Sequence, residues 1–433
     1  MKHPYQSAVP AALARHGRRA LFAMLLLASG AQAAEADARL SLRDAIDATL
    51  QANPQLEIYR IREQALDGQR RTASLQTPMQ VNGGIEDAFG SGSLNTLDSA
   101  ELTLSLSRVV ELGGQRDARM DIVGQRVDLL RAEQRVTQLD LLAEVTRRYI
   151  AVAAAQQRFA LQQQATTLAQ QTLDALQPLV TAGQTPAAEQ ARATAALERA
   201  RLAEGHAQAA FAAAQVALAS LWSDLTPDFA GVSADLLQVG NAGDLNALLL
   251  AIDTNPDLLV FASEERLLDA QLREARSEQR GTVQWTAGIR HLREAGDTGF
   301  MFSASMPLGT RARAGGAIQT AQANREELAS RREIALNRMR AQLTGLHLQL
   351  AHAIVEANTL RDAVLPQLDS ALQQTREAYL GGRYSYLELV SAQQEYLDAE
   401  RALLDAATDA HELRAEIERL SGTALPPSQE PIP

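Results

Sequence analysis

Hydrophobic positions along the chain follow two different periods, and each period occurs twice. Apolar residues recur every three to four positions over residues 115–177 and 313–378, which is the spacing of one face of an α-helix. Each segment is predicted to run unbroken, and a helix of that length would reach roughly 95–100 Å. Because no single globular core is that deep, the two helices predict a bundle, a rod or a tube.

Strict alternation of apolar and polar residues marks four short segments near these helices. Residues 101–107 and 282–290 alternate clearly, and residues 81–85 and 300–306 complete two pairs that Gly- and Asp-rich stretches separate. Period-two alternation predicts strands with one apolar face, so we expect hairpins at about 79–109 and 281–308. The predicted apolar face comprises Leu102, Leu104, Leu106, Val283, Trp285, Ile289, Phe300 and Phe302.

An internal two-fold repeat accounts for the doubled patterns. Asn53-Pro54 recurs as Asn255-Pro256, and Ala182-Gly183 aligns with Gly381-Gly382 at nearly the same offset. These landmarks predict two homologous halves, at 34–222 and 244–421, with a linker or equatorial segment at 223–243. Residues 422–433 are predicted to be a disordered tail.

The N-terminal residues have the pattern of an export signal. A basic stretch over 2–19 precedes an apolar core at 20–28, and Ala31-Gln32-Ala33 predicts cleavage that removes 1–33 as a signal peptide. No later stretch approaches the ~20 apolar residues of a membrane helix. In an exported chain, strands with aromatic residues on their apolar face favour a lipid-facing barrel wall in the outer membrane over a small soluble sheet.

Four strands are too few to close a barrel by themselves. About eight strands are needed even to enclose packed side chains, and an open sheet edge in lipid leaves backbone groups unsatisfied. The barrel must therefore be shared between protomers. Strand number alone does not choose three copies over two or four.

Composition excludes several classes of protein. The 433 residues contain no cysteine, so disulfides and thiolate sites are impossible. The net charge of −11 becomes about −15 once the four basic leader residues are removed, which is the wrong sign for binding nucleic acid. The sequence has no phosphate-binding glycine loop and no zinc-protease or serine-hydrolase motif. We therefore predict no enzyme, no metal site and no cofactor, and we expect a structural role for each histidine after the leader.

Two related segments resemble a known family. Residues 379–397 (YLGGRYSYLELVSAQQEYL) and 181–193 (TAGQTPAAEQARA) are similar to the hairpin turns and returning helices of TolC-type outer-membrane efflux channels. The resemblance covers nearly all of the mature chain. It implies an α+β membrane protein that forms a homotrimer, with four strands from each protomer closing one β-barrel above a long α-helical periplasmic tunnel.

The function implied by this resemblance is that of the outer-membrane channel in a tripartite efflux system. Such a channel passively conducts substrate that an inner-membrane proton-driven pump and a periplasmic adaptor protein deliver. Glu111-Leu112-Gly113-Gly114-Gln115-Arg116 is similar to the strand-to-helix junction of the heavy-metal-resistance (cobalt-zinc-cadmium) branch, which implies heavy-metal cations.

Glycines and one proline mark the two junctions between strand and helix. Gly113 and Gly114 would let the backbone turn sharply, and Pro307 lies in the second junction. That second junction lacks the Arg-Asn-Gln-Gly run expected of the heavy-metal branch. A drug-efflux channel, a type I secretion channel and a non-channel structural helical protein of the envelope therefore remain alternatives.

The resemblance also implies roles for the two helical turns. They would form the periplasmic tip that docks the adaptor, with Thr181, Ala182, Gly183, Gln184, Leu380, Gly381, Gly382 and Arg383. Glu388 falls where the family has an acidic residue lining the closed tip, and Glu189 is its counterpart in the first half. Tyr384 stands where other members carry a basic residue, so we expect the adjacent Arg383 to pair with Glu189 of the same or a neighbouring protomer as part of a gate.

Overall fold

The computed structural model describes residues 39–94 and 97–425. In chain order it contains α1 (Leu42–Ala52), α2 (Pro54–Ser74), β1 (Gln80–Glu86), β2 (Glu101–Glu111), α3 (Gln115–Thr181), α4 (Ala187–Ala219), α5 (Leu245–Ala251), α6 (Pro256–Ser277), β3 (Thr282–Leu292), β4 (Asp297–Ser305), α7 (Thr310–Thr359), α8 (Leu365–Leu380) and α9 (Tyr386–Ser421). The first predicted long helix and both predicted hairpins are present.

The repeated Asn-Pro motif starts a helix and fixes its position in each half. The side chains of Asn53 and Asn255 accept hydrogen bonds from the backbone two residues later, and the proline that follows each asparagine occupies the first helical turn. The amide of Asn53 also donates to the carbonyl of Leu221, at 2.9 Å, and that of Asn255 to Leu420, at 2.9 Å. Each asparagine thus ties the start of one helix to the end of a distant one.

The four strands form one antiparallel sheet in the order β1-β2-β3-β4. The two hairpins are joined because β2 pairs with β3 along its whole length, from Glu101 opposite Leu292 to Glu111 opposite Thr282. Strands β1 and β4 lie at the two edges. Among the described residues, each of these edge strands pairs with a neighbouring strand on only one of its two sides.

Helix α3 runs the length of the protomer, whereas α7 covers the part nearer the sheet and α8 continues from there to the second helical turn. Near the sheet α3 contacts α2 and α6, and further along it contacts α4 and α9, while α7 contacts α6 and then α9. Ion pairs cross these contacts, such as Arg131–Glu63 near the sheet and Arg158–Asp405 further away. The helices therefore form a layer one helix deep, as expected for part of a tube wall.

Residues 223–243 are packed against the middle of the helices and do not form a loose linker. Val232 and Leu236 are buried, and the hydroxyl of Tyr149 donates to the carbonyls of Leu40 and Ser233. The ring Nε2 of His411 lies 3.1 Å from the carbonyl oxygen of Leu236. The interpretation of this region as an equatorial segment fits these contacts better than a flexible connection.

The prediction of one unbroken helix over residues 313–378 is wrong. A π-helical turn at Leu360–Val364 separates α7 from α8. Pro366 lies directly after it; proline has no N–H to donate to the carbonyl four residues earlier, and its ring would clash with that carbonyl in a regular α-helix. The wider π turn accommodates both the missing hydrogen bond and the bulk of the proline ring. The first long helix, α3, continues for 67 residues without such a turn.

The predicted disordered tail begins too early. Helix α9 ends at Ser421, and Gly422 adopts a positive φ of 69° as its C-cap. Leu425 is nonetheless buried, in a cluster with Leu248 and Ile252. An apolar side chain three residues after the cap can thus return to the core. The remaining tail and the predicted signal peptide at 1–33 lie outside the described residues.

One helical stretch in the described part of the chain, Leu245–Arg280, has an 18-residue window apolar enough to cross a membrane. Asn255, with φ −64° and ψ 137°, interrupts this stretch between α5 and α6. Helix α6 contacts both α3 and α7 along the helical layer. Leu248, Ile252 and Leu258 of this stretch are buried in helix contacts, whereas Leu250 and Leu259 are exposed.

Candidate functional site

The strand register brings the predicted apolar residues onto one face of the sheet. Residues directly opposite one another in antiparallel strands point to the same side. Leu104 lies opposite Ile289, which lies opposite Phe300, and Leu106 aligns in the same way with Ala287 and Phe302. Leu104, Ile289 and Phe300 thus form a row across three strands.

This apolar face is exposed to the surroundings of the protomer. Phe300 has 94% of its surface accessible, and Phe302 and Leu104 are also exposed. The face extends to Val81 and Ile85 on β1, where the sequence pattern was weaker. An exposed apolar surface of this extent marks an interaction with lipid or another apolar partner.

The opposite face of the sheet is polar and carries its own contacts. Asn82 donates to the hydroxyl of Ser107 at 3.1 Å, across the β1–β2 pair. Arg290 on β3 donates to Glu101 at 2.8 Å and lies 3.7 Å from Glu86. The two faces thus differ as the faces of a membrane barrel strand do, with one suited to lipid and the other to water.

The first junction between sheet and helices depends on two glycines in different ways. Gly114 has φ 72° and is the N-cap of α3, a backbone conformation that favours glycine. A Cβ at Gly113 would lie 2.0 Å from the carbonyl oxygen of Ser277, so this position must lack a side chain. Arg119 closes the junction with an ion pair to Glu111 at 2.7 Å.

The second junction uses a glycine that sequence reasoning did not single out. Gly309, with φ 81°, is the N-cap of α7 and corresponds in role to Gly114. Pro307 precedes it on an exposed stretch in which Leu308 is 94% accessible. The signal that could have identified Gly309 is its place immediately before a long helical pattern.

The two predicted helical turns have the same backbone design. Gly183 and Gly382 adopt φ of 72° and 70°. After each helix the chain makes the two hydrogen bonds of a Schellman motif, including Gln184 N–H to Leu179 and Arg383 N–H to Ala378, both at 2.9 Å. The glycines therefore reverse the chain as predicted.

Both turns lie at the same end of the protomer. A buried cluster beside them combines residues of α3, α4, α8 and α9, namely Leu176, Ala193, Tyr379, Tyr386 and Leu389. Deeper in this contact the side-chain amide of Gln393 donates to the hydroxyl of Thr172 at 3.0 Å. The two hairpins thus form one tip, which presents Thr181, Ala182, Leu380, Gly381 and their neighbours together.

Glu388 caps the start of α9. Its carboxylate accepts hydrogen bonds from the backbone N–H of Ser385 at 2.7 Å and from the Ser385 hydroxyl at 2.9 Å. In return the backbone N–H of Glu388 donates to the Ser385 hydroxyl, which completes a capping box. The backbone hydrogen bond lowers the pKa of Glu388, so the exposed carboxylate is charged at neutral pH.

Glu189 has a different environment. The N-cap residue of its helix, Pro186, makes no side-chain capping bond. Burial raises the pKa of Tyr379 and Tyr386, and the negative charge of Glu189 raises both further. Within the described part of one protomer no ion pair joins Arg383 to Glu189, so the expected pair would have to form between protomers.

The histidines have structural contacts where the structure shows their partners. His347 lies 3.2 Å from the carbonyl oxygen of Gly243, and His291 Nδ1 lies 3.0 Å from the Thr298 hydroxyl. Burial lowers the pKa of His411, which favours the neutral ring. Over residues 39–94 and 97–425 no group of three or more His, Asp or Glu side chains is arranged to hold a metal ion.

Comparison with known proteins identifies similar sequences and folds. The family model described as "Outer membrane efflux protein" matches residues 45–223. The chain is 24% identical over 325 residues to the cobalt-zinc-cadmium resistance protein CzcC of Cupriavidus metallidurans, covering 74% of this chain and 77% of that protein. It is 26% identical over 298 residues to the nickel-cobalt-cadmium resistance protein NccC of Alcaligenes xylosoxydans xylosoxydans, covering 68% and 66%.

A solved structure has the same fold. The structure of CusC superposes with a TM-score of 0.71 at 17% identity, covering 88% of this chain and 92% of CusC. The likeness extends over the sheet and the helical layer together, because so much of both chains is covered.

Proposed function

We propose that the chain is the outer-membrane channel of a tripartite efflux system and conducts heavy-metal cations, because its residues 45–223 match the outer membrane efflux protein family. The observation that carries this proposal is the exposed apolar face of an open four-stranded sheet, set at the end of helices too long for a single core. A pump in the inner membrane would supply the driving force, and a periplasmic adaptor would connect the pump to the channel.

Barrel closure is the first part of the proposal. Each protomer has two sheet edges, β1 and β4, whose outward N–H and C=O groups need partners in lipid. Pairing β4 of one copy with β1 of the next satisfies both edges. Three copies give twelve strands, and the same arrangement closes the helical layer into a tunnel.

Heavy-metal cargo is supported by the relatives and by the first junction. CzcC and NccC are named for resistance to cobalt, zinc, cadmium and nickel. The Glu111–Arg116 segment, whose Gly113 fits against Ser277, has the junction sequence that resembles the heavy-metal branch. We infer the same class of cargo for this chain.

The cargo is tested by resistance in the native host. A strain lacking the channel should become sensitive to zinc, cobalt or cadmium and should be rescued by the parent gene. Unchanged metal resistance together with new sensitivity to organic compounds would favour a drug-efflux channel.

The lipid-facing wall is tested by a matched pair of substitutions on β2. Leu104→Arg puts a charge on the apolar face and should cost about 2–4 kcal/mol if that face meets the bilayer midplane. Thr103→Arg, one residue earlier on the polar face, should cost much less. The measurement is the amount of assembled oligomer in the outer-membrane fraction. Equal assembly of the two variants, or recovery of the parent in the soluble periplasmic extract, would contradict the barrel.

Adaptor docking at the tip is tested at Gly183 and Gly382. Both have positive φ and open space around the missing Cβ, so a large side chain there projects outward from the turn. Gly183→Leu and Gly382→Leu should abolish resistance while leaving oligomers intact. Gly296→Leu is the control, because Gly296 has φ 72° and equally open space but lies in the β3–β4 turn. Normal export by both tip variants would show that docking lies elsewhere.

A further inference from the structure

Large apolar side chains are exposed where strands meet helices. They occur at three of the four crossings between the sheet and the helical layer, at Leu75, Met79, Leu112, Met306 and Leu308. They continue the apolar face of the sheet toward the helices. Their exposure indicates that this level of the protein also meets an apolar medium.

The same level carries an excess of arginine. Residues 68–80, 108–119, 274–284 and 305–316 hold nine arginines and four carboxylates, in a chain whose net charge is −11. Six of these arginines are exposed and, among the described residues, have no carboxylate within 4 Å: Arg70, Arg71, Arg276, Arg280, Arg311 and Arg313. We call these six arginines and the five exposed apolar residues the junction belt.

The strand register shows which face of the sheet continues into the junction belt. Arg108 lies on the same face as Leu104, directly opposite Trp285, at the end of the apolar face nearest the helices. Arginine and tryptophan at the end of an apolar band are typical of the boundary between lipid and water.

Helix α7 begins beside this boundary. The hydroxyl of Thr310 donates to the carbonyl of Gln279 at 2.9 Å, and a Cβ at Gly281 would lie 3.1 Å from the Thr310 side chain. Arg311 and Arg280 therefore lie next to the start of the strand that carries Trp285.

We propose that the junction belt binds the anionic headgroups of phospholipids in the leaflet that faces the helices. This inference rests on the proposed placement of the sheet in the outer membrane. The apolar residues of the belt would enter the acyl region while the guanidinium groups pair with phosphates, which arginine does in a bidentate manner. A second copy of the chain is the weaker candidate partner, because it brings the same excess of positive charge to this level.

The test uses the tryptophan that lies at the belt. The chain has two tryptophans, so Trp222→Phe leaves Trp285 as the single fluorophore. The assembled protein is reconstituted in phosphatidylcholine vesicles that contain increasing fractions of brominated phosphatidylglycerol or brominated phosphatidylcholine. Bromine quenches fluorescence at short range, so the ratio of the two quenching curves gives the headgroup preference beside Trp285.

We expect this parent protein to prefer phosphatidylglycerol. Arg311→Gln with Arg313→Gln should reduce the preference by up to roughly thirtyfold, because each basic residue near an anionic surface contributes about fivefold. The control is Arg332→Gln with Arg338→Gln, two exposed arginines on the same helix roughly 30 Å further from the sheet. The control variant should keep the preference of the parent.

Four results would overturn the inference. Equal quenching by the two lipids in the parent would exclude headgroup selection, and an unchanged preference in the Arg311 and Arg313 variant would exclude the belt. If the Arg311 and Arg313 variant loses its oligomer in vesicles made only of phosphatidylcholine, these arginines form contacts between copies of the chain. If neither brominated lipid quenches Trp285, the sheet is not in the bilayer, and the proposed function fails with the inference.

Discussion

The two helical hairpins of the chain have turns with the same backbone conformation but differ in the helices that lead to those turns. Gly183 and Gly382 reverse the chain with nearly equal φ angles, at one common tip. The first hairpin is approached by the single helix α3, whereas a π-helical turn and Pro366 interrupt the approach to the second. The second hairpin therefore has a π turn at which it can bend, whereas α3 keeps its α-helical geometry past Pro178.

The start of the returning helix differs between the hairpins as well. Ser385 and Glu388 form a capping box, but Pro186 has neither an acceptor side chain nor an N–H for Glu189 to bind. Glu388 is therefore held against its own helix, while Glu189 is available to a neighbouring protomer. The equivalent acidic residues of the two halves thus have different contacts, which predicts different contributions to a gate.

The largest difference in stability between equivalent variants of the two halves is expected at the junctions with the sheet. Gly113→Ala would place a Cβ 2.0 Å from the Ser277 carbonyl oxygen, which forces a backbone shift and should cost about 1–3 kcal/mol. Leu308→Ala, at the corresponding position of the second junction, removes an exposed side chain and should leave thermal unfolding of the detergent-solubilised protein unchanged. Equal unfolding temperatures for the two variants would mean that the first junction is not closely packed.

A smaller effect is expected in the middle of the second hairpin. Pro366→Ala restores an N–H and removes the ring clash, so the π turn can become regular α-helix. We expect a modest rise in thermal stability and slower opening of the channel in planar bilayers, because the hinge is stiffer. Pro178→Ala, near the end of α3, is the control and should not slow opening. Faster opening in the Pro366 variant would reverse the assignment of the hinge.

The smallest effect is expected at the two acidic residues of the tip. Glu388→Gln keeps a side chain that suits the capping box and removes its charge, so the preference of the pore for cations should fall without loss of stability. Glu189→Gln should raise the open probability if Glu189 pairs with Arg383 of a neighbour, a partly exposed contact worth about 1 kcal/mol or less. Single-channel currents measure both, and unchanged currents would remove these residues from the gate.

The pH dependence gives a second view of Glu388. Its hydrogen bonds from Ser385 favour the charged form, so its pKa is lowered in the folded protein. The cation preference should therefore persist as pH falls through about 4.3, the usual glutamate value, and disappear only at lower pH. Loss of the preference well above that value would mean that Glu388 does not set it.

Several elements could be predicted from sequence because their signals are local. Alternation over a few residues identified both hairpins and the common face of Leu104, Ile289 and Phe300. The glycines at 183 and 382 were identifiable as turns because each follows a long helical pattern. In the same way a helical period over 115–177 was sufficient for α3.

The remaining errors arose where a local pattern had two structural solutions. A helical period over 313–378 continues through Leu360–Val364, yet Pro366 makes a π turn the better arrangement there. The tail beyond Gly422 has few apolar residues, but Leu425 reaches a buried cluster because α9 ends beside it. The first outcome follows from a proline within the segment itself, whereas the second depends on neighbours that the local sequence does not specify.

By itself the sequence determined the kinds of element, the apolar face of each strand and the positions where the chain reverses, because periodicity and glycine conformation act within a few residues. The tertiary structure alone decided that β2 pairs with β3 and that Gly113 fits against Ser277. These features join residues that are far apart in the chain. Their energies exist only once the helices and the sheet have assembled.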